Sequence, residues 1–480
     1  MARGQRRGVR AEGYRVPFEV LDLSYMEALQ TLHAACKFGI QPMLETVVDM
    51  LAELGDPDLS FRSLQIAGTN GKTSTSRYAA AILRGQGLRV ALYTSPELVS
   101  LTERMEVDGV PVSEGAFARS VAAAAEAGRR VNVRRRASGE RPYDVTQFDI
   151  LTVAACVAFA QADVDVAVLE CGMGGRWDAT SAVKSIEAVA VTGVGLDHTR
   201  ILGDTLEAIA GEKAAIIRCG QSCVLGVGTA TPDSVEDVFL DRCRSQDVTP
   251  VLLRPECLED AAGEMHAGVP RRHASLLRAS YRITSRPRCL GAPLELTVRT
   301  PRRAYTGLTA LKPSYQAANI ACAVTLTEAF LDGELDGDRL LESVRQCPTP
   351  GRFSLLRPNP PVLVDACHNP QSVDAFLAAL QDIAPDPATR PPLLCAVLAD
   401  KDVGGIVSRL ARAFPAVVCT QTSSSRSLGA DELVRRFLAA GATVTGSYGS
   451  VAAALAAMSA GPLVGCGSIT LAGALAALLA

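Results

Sequence analysis

Ile66-Ala67-Gly68-Thr69-Asn70-Gly71-Lys72-Thr73-Ser74 is the stretch whose reading decides the fold. Residues 61–67 before the loop read as a short buried strand, and residues 74–83 after it carry the Ala, Tyr and Leu of a helix. A glycine-rich loop between a strand end and a helix start turns unpaired backbone N–H groups outward at the positive end of the helix dipole, which suits a polyphosphate. Gly68 and Gly71 let the backbone come close, Thr69, Asn70 and Ser74 complete the cradle, Lys72 supplies a cation, and Thr73 offers a hydroxyl near a bound magnesium ion. The general nucleotide loop has a further glycine where Ile66 stands, so this is a shorter variant. Gly-Lys-Thr alone also describes a surface turn with a solvated lysine; the flanking strand and helix favour the nucleotide reading.

Length and composition bound the rest. A chain of 480 residues, 48% of them hydrophobic, holds more than one domain with sizeable cores. A net charge of −3 and a pI near 6.1 point to neither nucleic acid nor an anionic membrane as partner. The 14 cysteines are scattered without C-x-x-C spacing and read as reduced core residues. Arg3, Arg6, Arg7 and Arg10 are followed by no apolar run, so residues 1–24 read as a disordered basic tail and not a secretory signal. No apolar run is long enough for a bilayer, and residues 150–160 have only the length of a buried helix. A cytoplasmic enzyme is expected.

Taken in order, residues 25–54 have helical spacing broken around Phe38-Gly39-Ile40. A second strand over 89–93 ends in Thr94-Ser95-Pro96, a place where a hydroxyl can meet a metal beside the phosphate loop, although a plain Ser-Pro turn reads the same. After a structured loop containing Glu103-Arg104 and a helix over 114–127, Arg129, Arg130, Arg134, Arg135, Arg136 and Arg141 read as a solvated, mobile loop; the sharper reading is attraction of a polyanionic substrate tail. A helix over 149–161 leads into a strand over 164–169 that ends at Glu170, an acid placed to hold magnesium or simply to be solvated. The next strand, 188–194, ends at Gly195-Leu196-Asp197-His198, in step with Ser95 and Glu170, and a helix follows with Thr205 or Asp204 as cap. Strand ends along one edge of a parallel sheet, alternating with helices, make a doubly wound nucleotide-binding domain. Residues 226–302 are poorer in signals; a helix over 233–244 and a strand over 294–299 stand out, and Arg271-Arg272-His273 is a basic patch without a reading. A helix over 316–330 carries Asn319, and Cys347-Pro348-Thr349-Pro350 makes a hinge before Gly351-Arg352. Beyond it strands at 362–366, 393–398, 417–420 and 463–466 alternate with helices at 372–382, 403–413, 430–440 and 451–458, a second, smaller α/β domain whose strand ends carry Asp365-Ala366-Cys367-His368-Asn369-Pro370 and Asp400-Lys401-Asp402.

This series resembles the folylpolyglutamate synthase and dihydrofolate synthase family, within the Mur ligase superfamily. The motifs that carry the resemblance are Ala67-Gly68-Thr69-Asn70-Gly71-Lys72, Thr94-Ser95-Pro96, Glu103-Arg104, Glu170-Cys171-Gly172-Met173-Gly174-Gly175-Arg176-Trp177-Asp178-Ala179-Thr180, Gly195-Leu196-Asp197-His198, Leu202-Gly203-Asp204-Thr205-Leu206, Glu212-Lys213, Pro350-Gly351-Arg352, Asp365 to Pro370 and Asp400-Lys401-Asp402. It covers the chain from about Tyr25 onward and implies a P-loop ATPase domain with a parallel sheet over 25–346, a hinge over 347–350 and a glutamate-binding α/β domain over 351–480.

The resemblance implies an ATP-dependent ligase that adds L-glutamate to dihydropteroate, to reduced folates or to both, by phosphorylating a substrate carboxylate and letting the amino acid's amine displace the phosphate. Lys72 and the loop amides would hold ATP, with Asn319, Arg352 and Asp365; Ser95, Glu170 and His198 would bind Mg2+; Lys213 matches a lysine carried as a carbamate; His368 and Ser468 would receive glutamate. Lys72, His198 and Lys213 are the expected catalytic residues of what is expected to be a monomer. Some positions depart from the family pattern. Thr73 stands where folate enzymes often have glycine, Tyr315 where a histidine is usual, Thr349 in place of a tryptophan, and Cys367 in place of an alanine. Two other readings share the loop: a Mur-type amino-acid ligase acting on a cell-wall precursor, and a nucleotide-binding regulatory protein that has lost ligation.

Overall fold

The computed structural model describes residues 13–35, 43–256, 276–458 and 461–480. Most of the expected basic tail, the break at Phe38-Gly39-Ile40 and the Arg271-Arg272-His273 patch lie outside the described residues.

The strand before the phosphate loop, β1 (Arg62–Ala67), lies inside an eleven-stranded sheet. On one side it pairs in parallel with β5 (Val166–Glu170), then come β2 (Val90–Tyr93), β3 (Met105–Val107) and β4 (Val110–Pro111), the last two antiparallel. On the other side β6 (Ile186–Gly193), β7 (Ser222–Gly228), β8 (Val251–Pro255) and β9 (Leu277–Ser285) continue in parallel, and β10 (Leu294–Arg299) and β11 (Ala304–Ala310) close the edge as antiparallel strands. Side chains alternate across β1. Leu64 and Ile66 enter a core with Tyr78, Ile82, Ile320 and Val324, while Gln65 points the other way and donates to the hydroxyls of Thr180 and Ser181 at 2.9 Å. Parallel strands covered on both faces need apolar residues on both, which is why these strands read as near-continuous apolar runs.

Helices α1 (Tyr25–Ala34), α2 (Glu45–Glu53), α4 (Glu114–Ala137), α5 (Gln147–Gln161), α7 (Leu206–Ala214) and α8 (Asp233–Ser245) belong to the core on one face. The short α6 (Thr199–Leu202) leads into α7, and α3 (Lys72–Gly85), α9 (Gln316–Leu331) and α10 (Gly337–Gln346) cover the other face. A second, six-stranded sheet runs β12-β13-β17-β14-β15-β16, built from β12 (Ser354–Pro358), β13 (Pro361–Asp365), β14 (Leu393–Cys395), β15 (Val417–Thr420), β16 (Val444–Tyr448) and β17 (Leu463–Cys466), parallel except for β12. On one side it packs against α11 (Pro370–Ile383), α12 (Val403–Leu410) and α13 (Ala430–Ala439), and on the other against α14 (Val451–Met458) and α15 (Ile469–Leu479). The fold is therefore two α/β domains, the larger one first.

The expected mobile basic loop is not there. α4, capped by Ser113, runs on to Ala137 and takes all of these arginines except Arg141 with it. Arg130 and Arg134 both pair with Glu53, Arg129 pairs with Glu126 at 2.6 Å, and Arg135 pairs with Glu140 and stacks 3.9 Å from the Tyr143 ring centroid. Cations also suit a helix C-terminus, so these partners turn what composition reads as a loop into about three further helical turns. The described cysteines match their reduced reading: none is in a disulfide, and only Cys219 and Cys289 are exposed. No helix among the described residues is long and apolar enough to cross a membrane.

Candidate active site

Strand register gathers the site. Ile66 faces Glu170 across β1 and β5, Tyr93 faces Leu169 across β2 and β5, and Ala67 faces Val191 across β1 and β6. Glu170 at the end of β5, and the residues just beyond the other pairs, the loop from Gly68, Ser95 and Thr192, therefore emerge together at one edge of the sheet.

The loop is tightly held. Gly71 has φ +86, and a Cβ on it would lie 2.5 Å from Asn319 Oδ1, while a Cβ on Gly68 would lie 1.9 Å from Thr192 Oγ1. Only glycine fits either place. Thr192 Oγ1 donates to the Asn70 carbonyl at 2.6 Å, and Thr69 Oγ1 exchanges bonds of 3.0 and 3.1 Å with the backbone of Gly195. Lys72 Nζ reaches back to the Thr69 carbonyl at 3.3 Å. Ser74 is buried and accepts from Gln316 Nε2 at 3.1 Å, and Gln316 Oε1 accepts from Asn319 Nδ2 at 2.9 Å, which fixes Asn319 at the start of α9 against the loop.

Thr73 Oγ1 donates to Glu170 Oε1 at 2.9 Å, and the Ser95 N–H lies 3.4 Å from Glu170 Oε2. Burial pushes the Glu170 carboxyl up, opposed by Lys72, by these two hydrogen bonds and by Arg352. Lys213 is 3% exposed and its Nζ donates to the Gly68 carbonyl at 3.0 Å. Burial, with the charge of Lys72 nearby, brings its ammonium down to about 7. His198 opens α6 at φ +52; desolvation, with the charges of Lys401 and Lys72, outweighs Asp197 and brings its imidazole down to about 4, so it is neutral at pH 7. Among the described residues no three His, Cys, Asp or Glu side chains converge on a metal position. The Glu170 carboxylate, with the hydroxyl-bearing residues Thr73 and Ser95 beside it, instead fits magnesium, which takes one or two protein ligands and fills its shell with phosphate oxygens and water.

The second domain closes over this edge. Asp365 faces Cys466 across β13 and β17, so His368 and Ser468 follow adjacent strand ends. His368 Nδ1 lies 3.0 Å from the Ala366 carbonyl and its Nε2 lies 3.6 Å from Asp197 Oδ2. Lys401 Nζ meets Asp197 Oδ1 at 2.7 Å. Asn70 donates to Gln371 Oε1 at 2.7 Å and exchanges bonds with Asn369 of 3.1 and 3.3 Å. Burial alone would raise Asp197; His368 and Lys401 overcome it and hold the carboxyl well below the usual range. Asp365 is buried, with both oxygens engaged: Tyr315 donates at 2.7 Å, and the N–H groups of Phe353 and Cys367 at 2.9 Å. Arg352 lies close enough to Asp365 and Glu170 to oppose the rise that burial gives both carboxyls. Ser468 is fully buried and caps α15, its hydroxyl accepting from Leu471 N–H at 3.2 Å.

Comparison with known proteins identifies this arrangement. Residues 66–227 match the Mur ligase middle domain and residues 351–467 match the Mur ligase, glutamate ligase domain. The chain is 33% identical over 413 residues to the dihydrofolate synthase/folylpolyglutamate synthase of Mycobacterium tuberculosis, a match covering 84% of this chain and 78% of that protein. The chain belongs to the dihydrofolate synthase/folylpolyglutamate synthase family. It is 28% identical over 396 residues to the Bacillus subtilis protein of the same name, covering 81% of this chain and 83% of that one. A solved Mycobacterium tuberculosis folylpolyglutamate synthase complexed with ADP superposes with a TM-score of 0.81 at 28% identity, covering 95% of this chain and 98% of that chain.

For a dihydrofolate synthase/folylpolyglutamate synthase relative, the residues that sequence reading had not singled out are those that join the domains. Asp197 and Lys401 each lie in a motif already noted, but only the fold brings a strand end of one domain onto that of the other. Asn369 and Gln371 lie just beyond His368, and Thr192 lies inside a strand, where it reads as an ordinary β-branched core residue. Glu103, a motif residue without an assigned role, accepts the N–H groups of Leu98, Val99 and Ser100 and so shapes the loop after Pro96.

Proposed function

We propose that the protein is an ATP-dependent ligase that adds L-glutamate to dihydropteroate, reduced folates or both. The observation that carries the reading is the meeting of a phosphate loop with the His368-Asn369 strand end of a glutamate-ligase-type domain across one cleft. The substrate carboxylate attacks the γ-phosphorus of ATP, the bond to ADP breaks, and an acyl phosphate forms. The glutamate amine, having lost its proton to solvent, attacks the acyl carbon, and inorganic phosphate leaves. Like-charge repulsion opposes the first step, and Lys72 and Arg352 are the cations placed to reduce it. Closure of the second domain keeps the acyl phosphate from water.

Magnesium, held by Glu170, Ser95 and His198 with the Thr73 hydroxyl beside them, would add charge neutralisation at the phosphates. Lys213 suits carbamylation because a buried amine brought down to about 7 supplies the neutral nitrogen that attacks carbon dioxide, and the modified group would be an anion facing Lys72. Asn319, Arg352 and Asp365 are read as the nucleoside side of the site, and His368 with Ser468 as the glutamate side. Trp177 and Leu196, on the loops that follow β5 and β6, and Ile201 on α6 are large apolar side chains left exposed, and they suit a flat pterin ring. We read residues 25–346 as the ATP-binding domain, 347–350 as the hinge and 351–480 as the glutamate-binding domain, working as a monomer because one chain supplies both sides of the cleft. The test is product analysis with ATP, magnesium and L-glutamate, supplying dihydropteroate, tetrahydrofolate or a muramyl precursor in turn. A glutamylated pterin is expected, and its absence with both pterins overturns the reading.

A further inference from the structure

Helix α15 is rich in alanine and leucine, and one glycine, Gly473, interrupts it near its middle. Glycine is a poorer helix former than alanine, so its place there asks for a reason in packing. The reason lies in the other domain. A Cβ on Gly473 would lie 2.0 Å from the Leu98 carbonyl oxygen and 3.1 Å from the carbon that bears it. Leu98 belongs to the loop that leaves β2 through Ser95, and its side chain packs against the second domain's core, the cluster that includes Val364, Ala366 and Leu471. A Cβ on Gly351, the residue before Arg352, would come within 3.1 Å of Leu98 Cδ1. Two glycines of the second domain thus leave room for one residue of the first, Gly473 for its backbone and Gly351 for its side chain.

The loop that carries Leu98 is cross-braced. The Thr94 N–H donates to the Arg104 carbonyl at 3.0 Å, and Arg104 pairs with Glu97 at 2.6 Å. Glu103 accepts the N–H groups of Leu98 and Ser100 at 3.0 Å. Leu98 is therefore fixed relative to Ser95. In the second domain the Ala366 N–H donates to the Gly351 carbonyl at 2.8 Å, which ties the neighbour of Asp365 to the neighbour of Arg352. We propose that Leu98 is a positioning residue for ligation: seated against Gly473 and Gly351, it sets the loop of Ser95 against the strand end that carries Arg352 and Asp365 when the domains close. The roles of Ser95, Arg352 and Asp365 rest on the ligase reading above, and the seat itself does not.

The test compares the full chain with Gly473→Ala, Leu98→Ala, Leu98→Met and the double variant of Leu98→Ala with Gly473→Ala, circular dichroism checking that each is folded. Alanine suits a helix better than glycine, so Gly473→Ala disturbs the seat and not α15. Small-angle scattering with magnesium and ADP should show Gly473→Ala and Leu98→Ala more open than the wild type. Their kcat for ligation should fall roughly tenfold, and the magnesium concentration for half-maximal rate should rise by a similar factor. Leu98→Met, which nearly conserves volume, should keep all three close to wild type, and Val99→Ala, a loop neighbour with an exposed side chain, should change none. Both alanine substitutions break one contact, so the double variant should be no worse than the more severe single one. The proposal is overturned if Gly473→Ala closes on magnesium and ADP as the wild type does, or if the two defects multiply. A wild type that makes no glutamylated pterin overturns the ligase reading instead, and the scattering comparison then decides the seat by itself.

Discussion

Replacing Lys401 by Met should loosen the closed state of the two domains. In the structure Lys401 Nζ lies 2.7 Å from Asp197 Oδ1, with side-chain exposures of 7% and 10%, so the pair is almost wholly removed from water. The partners belong to different domains, and His368 at 3.6 Å and Asn369 Nδ2 at 3.5 Å approach the other carboxylate oxygen from the same side as Lys401. Removing one partner of a buried ion pair costs about 3–5 kcal/mol, because the remaining charge is left unmatched. At the rim of a cleft the remaining carboxylate can recover some water on opening, so the lower figure applies. About 3 kcal/mol shifts the closed-to-open ratio roughly 150-fold. Small-angle scattering with ADP bound should show the variant more open than the wild type, and kcat/KM for ligation should fall by a comparable factor. A double-mutant cycle with Asp197→Asn isolates the pair: a coupling of about 2–3 kcal/mol is expected from close buried charges. A coupling below about 0.5 kcal/mol, the usual error of additivity, would refute the reasoning.

Three further outcomes follow from the site. Gly71→Ala puts a methyl where Asn319 Oδ1 now lies 2.5 Å away and asks alanine to hold φ +86, a backbone cost of about 1–2 kcal/mol, so the KM for ATP should rise while the far-UV spectrum stays native; an unchanged KM contradicts the tight cradle. His198→Ala should raise the magnesium concentration needed for half-maximal activity roughly tenfold, and an unchanged magnesium titration removes His198 from the metal site. For Lys213 the sign is set by its lowered pKa, from 10.5 to about 7: the neutral amine that takes up carbon dioxide grows as pH rises through neutrality. Stripping carbon dioxide should therefore slow ligation, bicarbonate should restore it more fully above neutrality than below, and Lys213→Met should not respond; a wild-type rate insensitive to carbon dioxide rules out the carbamate.

Much of this architecture was legible before any coordinates, for a physical reason: parallel strands buried on both faces leave long apolar runs, and their C-terminal ends carry the polar residues. β15, β17 and α14 fall where the apolar pattern expects them. β9 was missed because Leu277 to Ser285 is largely uncovered and lacks a buried face to enforce alternation, and β7 and β8 because their runs are short and broken by Gly226 and Pro255. The arginines of α4 misled in the opposite sense, since composition records their charge but not Glu53 and Tyr143, which neutralise and stack with them. At the site, the one-sided motifs stood out, and the two-sided contacts did not. That Asp197 meets Lys401, or that Asn70 meets Asn369, depends on how one domain sits on the other.

The central claim is that the phosphate loop and the second domain together join glutamate to a pterin carboxylate at the expense of ATP. The most direct test is to follow ADP release and product mass together in one reaction containing ATP, magnesium, L-glutamate and either dihydropteroate or tetrahydrofolate. The account predicts one glutamyl addition per ADP with at least one of the two pterins, and no ADP release when L-glutamate and pterin are both withheld. ADP release without a glutamylated pterin, or ligation only when a muramyl precursor is supplied, would contradict it.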